Sequence, residues 1–135
     1  MMTILLVDDS RFQRLANERS LTKAGYSVIS ASDGESALRI AHERSLDIIL
    51  LDMMLPKLDG ISVLRALKHE ACTANIPVIV LSGLPHKNEA KLIEEGASGY
   101  IEKSESLQGQ GAEILLKMVA TVLHNGAVQA ASAKV

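Results

Sequence analysis

Ile48-Ile49-Leu50-Leu51-Asp52-Met53-Met54-Leu55-Pro56-Lys57-Leu58-Asp59-Gly60 sets four aliphatic residues against one carboxylate, and a loop containing Pro and Gly follows at once. An unbroken apolar run of this length suits a strand buried on both faces, as in a parallel sheet. Asp52 then stands at the carboxyl end of that strand, where open α/β sheets place their ligands. A carboxylate beside so much apolar surface is unfavourable unless charge or hydrogen bonds meet it. The rest of the chain can be read for what meets it.

Working outward, similar apolar runs occur at residues 4–7, 26–30, 78–81 and, more weakly, 99–101. The stretches between them have helical spacing. Ala37, Ile40 and Ala41 share one face, as do Ile61, Leu64 and Leu67, and the last stretch carries the stripe Leu115, Met118, Val119, Val122. Five such alternations predict an α/β fold, a doubly wound five-stranded parallel sheet. The punctuation agrees: Ser10 can cap the first helix, Ser32-Asp33-Gly34-Glu35 offers capping side chains before the second and Asp59 can cap the third, while Gly25 and Gly96 can end helices. The fourth helix is expected over about residues 86–95. Gly109 and Gly111 disfavour an early start for the fifth and predict a longer loop before it.

The totals narrow the class. A chain of 135 residues, 47% hydrophobic and 22% charged, is long enough for one domain with a real core. Residues 1–124 are read as that domain and residues 125–135 as a flexible tail, too short for an output domain. A formal net charge of -2 gives no basic footprint, so direct nucleic-acid binding is not expected. No apolar run reaches the ~20 residues that span a bilayer, and the opening Met-Met-Thr-Ile-Leu-Leu-Val lacks a basic leader, so a cytoplasmic protein is expected. Cys72 is the single cysteine and is read as a small residue at a helix end or in the loop after it. His42, His69, His86 and His124 show no ligand spacing and are read as solvated.

In a parallel sheet the carboxyl ends of all strands meet at one edge. Strand one brings Asp8 and Asp9 there, strand three Asp52, strand four Ser82 and strand five Lys103. Clustered carboxylates invite a hard divalent cation with oxygen ligands, Mg²⁺ being the natural choice. Lys103 and Ser82 suit the oxygens of a phosphoryl group, and a carboxylate can itself be a nucleophile. The convergent set points to phosphorylation of Asp52.

These residues, in this order and at these elements, together with Gly25-Tyr26-Ser27-Val28 and Ala31-Ser32-Asp33-Gly34, resemble the receiver domain of bacterial two-component response regulators over about residues 2–123. The resemblance implies a flavodoxin-like strand order, 2-1-3-4-5. It implies that Asp52 accepts a phosphoryl group from a sensor histidine kinase or phosphotransfer protein, and that Asp8, Asp9, Asp52 and the backbone carbonyl of Met54 hold Mg²⁺. It implies that Ser82 and Lys103 hold the phosphoryl oxygens, that Ser82 and Tyr100 form a switch pair, and that the surface of the fourth helix, fifth strand and fifth helix reports to a downstream protein. By this reading the chain is no enzyme beyond catalysing its own phosphorylation and dephosphorylation.

Two positions depart from the family. Ser104 follows Lys103 where the family usually has Pro, and the bond between them is still expected to be cis, although a non-Pro cis bond costs about 3 kcal/mol. The glycines at 109 and 111 are the other departure. Met54 and Leu84, both apolar and each two residues beyond a site residue, imply slow loss of the phosphoryl group. A dehalogenase-like phosphatase is disfavoured because Met54 stands where its second acid belongs, and Gly109-Gln110-Gly111 lacks the third glycine and preceding strand of a dinucleotide site. A receiver-like module working without phosphorylation, or the receiver portion of a longer regulator, are the alternatives.

Overall fold

The computed structural model describes residues 2–53, 55, 58–82, 89–102 and 107–125. Strands β1 (Thr3–Val7), β2 (Ser27–Ala31), β3 (Ile48–Asp52), β4 (Val78–Ser82) and β5 (Gly99–Glu102) alternate with helices α1 (Arg11–Lys23), α2 (Gly34–Glu43), α3 (Gly60–His69), α4 (Glu89–Glu94) and α5 (Leu107–Asn125). All four strand pairings are parallel, and the order is β2-β1-β3-β4-β5. That is the doubly wound α/β sheet with the flavodoxin-like order expected. Among the described residues no helix is long and apolar enough to cross a membrane.

The pleat divides the core. Leu5, Val7, Ile49, Leu51, Val78 and Val80 face a cluster completed by Ala37 and Ala41 of α2, Val63, Leu64 and Leu67 of α3, and Leu92 of α4. The alternate positions Ile4, Leu6, Ile48, Leu50, Ile79, Leu81 and Ile101 face a second cluster with Leu21 of α1 and Leu115, Val119 and Val122 of α5. Successive residues of a strand point to opposite faces, so a run with no polar residue is what two covered faces require. Residues 48–51 are fully buried.

Local signals place most helix ends. The Ser10 side chain accepts from Gln13 N (3.3 Å), Asp33 from Ser36 N (2.8 Å) and Asp59 from Ser62 N (2.9 Å), each satisfying an amide that helix geometry leaves open. After α1 the chain turns at Gly25, whose φ of +104° lies in the left-handed region that glycine enters without strain.

The fifth helix is a correction. It begins at Leu107 and runs through Gly109 and Gly111, so the two glycines lie inside the helix and do not delay its start. Each interior glycine costs about 1 kcal/mol relative to alanine. The buried stripe Leu115, Val119 and Val122 outweighs this, because most helical stability in proteins comes from packing of an apolar face rather than from propensity. The start expected for α4 near His86, the Lys103–Ser104 bond and Leu84 lie outside the described residues, as does the tail expected at residues 125–135 except Asn125, which ends α5.

Candidate functional site

The site grows from the register of the two central strands. Val7 pairs with Leu51, so Asp8, one residue on, comes beside Asp52 at the carboxyl edge. Asp52 continues the parity of Ile48 and Leu50 and is buried, with 3% of its surface exposed; Asp8 is fully buried and Asp9 exposed.

The loop after β1 is held by bonds to β2, to the Asp8 carboxylate and from α1. Asp8 N donates to Ala31 O of β2 (3.1 Å), the Asp8 carboxylate accepts from Ser10 N (2.9 Å), and the Arg14 guanidinium donates to the Asp8 carbonyl (2.8 Å). The loop after β3 is held from both sides. Met53 N donates to Leu81 O of β4 (3.0 Å), and Gly60 N at the start of α3 donates back to Met53 O (3.0 Å). α3 therefore starts directly against the Asp52–Met53 backbone: a Cβ on Gly60 would stand 2.5 Å from Met53 Cα and 2.6 Å from Asp52 O. Only glycine permits that approach.

Asp8, Asp9 and Asp52 each bring a carboxylate oxygen within 4.8 Å of the others. Three like charges so close repel one another, and an all-oxygen donor set suits a hard cation such as Mg²⁺. The residues present therefore fit that ion. Ser82 ends β4 opposite Glu102 of β5, which Lys103 follows directly in the chain. The Ser82 side chain, Lys103 and Met54 lie outside the described residues. Tyr100 is half-buried on β5, opposite Val80, and packs against the cluster under α2, α3 and α4. The strands thus bring together Asp8, Asp9 and Asp52 at one edge, with the backbone of Ser82 at the same edge.

A sequence profile for the response regulator receiver domain matches residues 4–114. The chain belongs to the response regulator receiver family. Curated relatives of this receiver domain include the gliding motility regulatory protein of Myxococcus xanthus, 41% identical over 120 residues, 87% of this chain and 15% of that protein. The alkaline phosphatase synthesis transcriptional regulatory protein PhoP of Bacillus subtilis is 40% identical over 101 residues, 74% of this chain and 41% of its own length. The receiver domain thus spans less than half of either relative. Among solved structures, chemotaxis response regulator CheY4 of Vibrio cholerae superposes with a TM-score of 0.81 at 28% identity, covering 90% of this chain and 98% of that one. The receiver domain of a sensor histidine kinase from Pseudomonas aeruginosa PAO1, solved with a magnesium ion coordinated in its active site cleft, gives 0.79 at 27% identity, covering 91% and 98%.

The reading of His42 as a solvated residue on a helix face holds, and the fold adds a partner that the sequence did not show. His42 is exposed, but it is paired: its Nε2 lies 3.0 Å from Glu70 Oε2, and Cys72 stands beside both. His42 is in the last turn of α2, whereas Glu70 stands at the C-cap of α3 and Cys72 in the turn after it; Glu70 is 28 residues further along the chain than His42, so no local spacing reveals the group.

Proposed function

We propose that this receiver domain accepts a phosphoryl group on Asp52 from the phosphohistidine of a sensor kinase or phosphotransfer protein and thereby switches a protein-binding surface. The observation that carries the proposal is the meeting of the Asp8, Asp9 and Asp52 carboxylates at the carboxyl edge of the sheet. An Asp52 oxygen forms the new O–P bond as the P–N bond breaks, and the electron pair of that bond returns to the leaving imidazole. Asp8, Asp9, Asp52 and the Met54 carbonyl would hold Mg²⁺. Bound there, the ion supplies positive charge against the phosphoryl oxygens.

Burial of Asp52 between β1 and β4 holds the nucleophile in one orientation, and the backbone bonds of Met53 to Leu81 and Gly60 keep its loop in place. Lys103 and Ser82 meet the phosphoryl oxygens from the ends of β5 and β4. Phosphorylation adds roughly two negative charges and three acceptor oxygens, enough to rearrange a loop with two packed states. Ser82 and Tyr100 carry that change to the surface of α4, β5 and α5, which meets the downstream protein. Catalysis is confined to the domain's own phosphorylation and dephosphorylation, in the cytoplasm, and the apolar Met54 and Leu84 slow the second.

Incubation with acetyl phosphate and Mg²⁺, followed by intact-mass measurement, tests this. The expected result is a gain of one phosphoryl group that disappears in Asp52→Asn and with EDTA. A chain that gains nothing, from acetyl phosphate or from any kinase, refutes the reading.

A further inference from the structure

A second convergence of side chains lies at the opposite edge of the sheet. Helix α2 leaves the carboxyl edge after β2 and returns to the amino edge before β3, which brings His42 of its last turn there. Glu70 caps the C-terminus of α3, and Cys72 follows two residues later. One ligand atom from each of His42, Glu70 and Cys72 lies within 4.8 Å of the other two.

Both ring nitrogens of His42 have fixed partners. His42 Nδ1 lies 2.8 Å from the Leu38 carbonyl, which can only accept, so Nδ1 carries the hydrogen. In the neutral ring the lone pair is then on Nε2, and it faces Glu70 Oε2 at 3.0 Å. Two acceptors at that distance require positive charge between them, supplied either by a proton on the ring or by a metal ion. A metal-binding histidine characteristically donates its other N–H to a carbonyl or carboxylate, which is the arrangement present.

The turn carrying the other two groups is built, not loose. Thr73 is fully buried, and its hydroxyl donates to Leu67 O at 2.6 Å. Thr73 N and Ala74 N both donate to Glu70 O (3.2 and 2.8 Å). Lys68 Nζ reaches across to the carbonyls of Ala74 (3.1 Å) and Ile76 (2.8 Å). An open depression of about 370 Å³ adjoins the cluster, lined by Ala41, Leu46 and Ile76 beside His42 and Cys72, with the opposite charges of Glu43 and Arg44 also in its wall. It leaves room for a water or an external ligand.

We propose that His42, Glu70 and Cys72 form a zinc site between the ends of α2 and α3. One nitrogen, one oxygen and one sulfur donor match the preferences of this borderline-soft ion, and the depression supplies the open fourth position. The site is separate from the carboxylate cluster, whose all-oxygen donors select Mg²⁺. Binding displaces the thiol proton of Cys72, since the thiolate is the ligand.

The test is titration of the chelator-stripped full chain with Zn²⁺ against a competing chromophoric chelator, in saturating Mg²⁺. One equivalent should bind, raising Tm. His42→Gln and Cys72→Ser should each weaken binding by about 10- to 100-fold or more, the range already seen when an outer-shell partner is lost. Both variants alter exposed side chains, and their Tm in EDTA reports whether they fold. Co²⁺ in place of zinc should give a thiolate-to-cobalt charge-transfer band that Cys72→Ser abolishes, and Asp52→Asn should leave both readouts unchanged. Equal zinc affinity in the wild type and the two variants, no charge-transfer band, or loss of binding in Asp52→Asn would each overturn the proposal.

Discussion

Replacing Gly60 with alanine tests whether the start of α3 fixes the position of Asp52. The new methyl carbon would stand 2.5 Å from Met53 Cα, 2.6 Å from Asp52 O and 3.1 Å from Met53 C, all backbone atoms. Backbone cannot swing aside as a side-chain tip can, so α3 or the Asp52–Met53 segment must shift by most of an ångström. Forcing extra methylenes into packed interiors costs about 1–3 kcal/mol. The helix-propensity gain of alanine over glycine, about 1 kcal/mol in a helix interior, offsets little at the first helical position. A net loss of about 2.5 kcal/mol follows. With an unfolding entropy of roughly 2.1 cal/mol/K per residue over 135 residues, Tm should fall by about 9 °C.

Gly25→Ala is the control. Its Cβ meets nothing within 4 Å, and only the φ of +104° opposes it, at a cost of about 1–2 kcal/mol. Thermal unfolding by circular dichroism, paired with the initial rate of Asp52 phosphorylation from acetyl phosphate, separates the two. Gly60→Ala should lose stability and slow phosphorylation, whereas Gly25→Ala should lose stability alone. A Gly60→Ala protein as stable as wild type, or one that is destabilised but phosphorylated at the wild-type rate, would refute the coupling between helix start and site.

Thr73→Val should destabilise the domain by about 1–2 kcal/mol in urea unfolding, because the Leu67 carbonyl loses a buried hydroxyl donor at 2.6 Å. Lys68→Met should cost about 1–3 kcal/mol by the same measurement: two carbonyls lose an ammonium donor, partly offset because burial already holds the Lys68 pKa below its ordinary value. Asp59→Ala should remove about 1 kcal/mol by taking away the cap of α3. The bond from Ser62 N, followed by the Ser62 hydroxyl, lowers the Asp59 pKa from 3.8. The stabilisation is therefore full above pH 3.8 and lost as pH falls through the lower folded value. Wild type and Asp59→Ala should converge in Tm at the acid end of a pH series, and a constant gap there would contradict the assignment.

The order of the elements, the parallel sheet and the identity of the central carboxylates are legible in the chain itself. Strands covered on both faces tolerate no polar residue, so residues 48–51 declare their burial, and the charge that follows marks the edge. Ser10 and Asp59 likewise announce their helices because capping is a contact across three residues, and Ser32-Asp33 announces the second helix while the structure selects Asp33 as its cap. The start of α5 is not legible, since two glycines argue locally against a helix that a distant apolar face stabilises. The pairing of His42 with Glu70 and Cys72 is not legible either: it depends on how α2 and α3 end beside each other. The same holds for Gly60, which reads as a turn residue but in the fold is the point where a helix touches the backbone of Asp52. Periodicity and capping are written over a few residues, whereas a close approach between elements exists only once burial of both core clusters has set their positions.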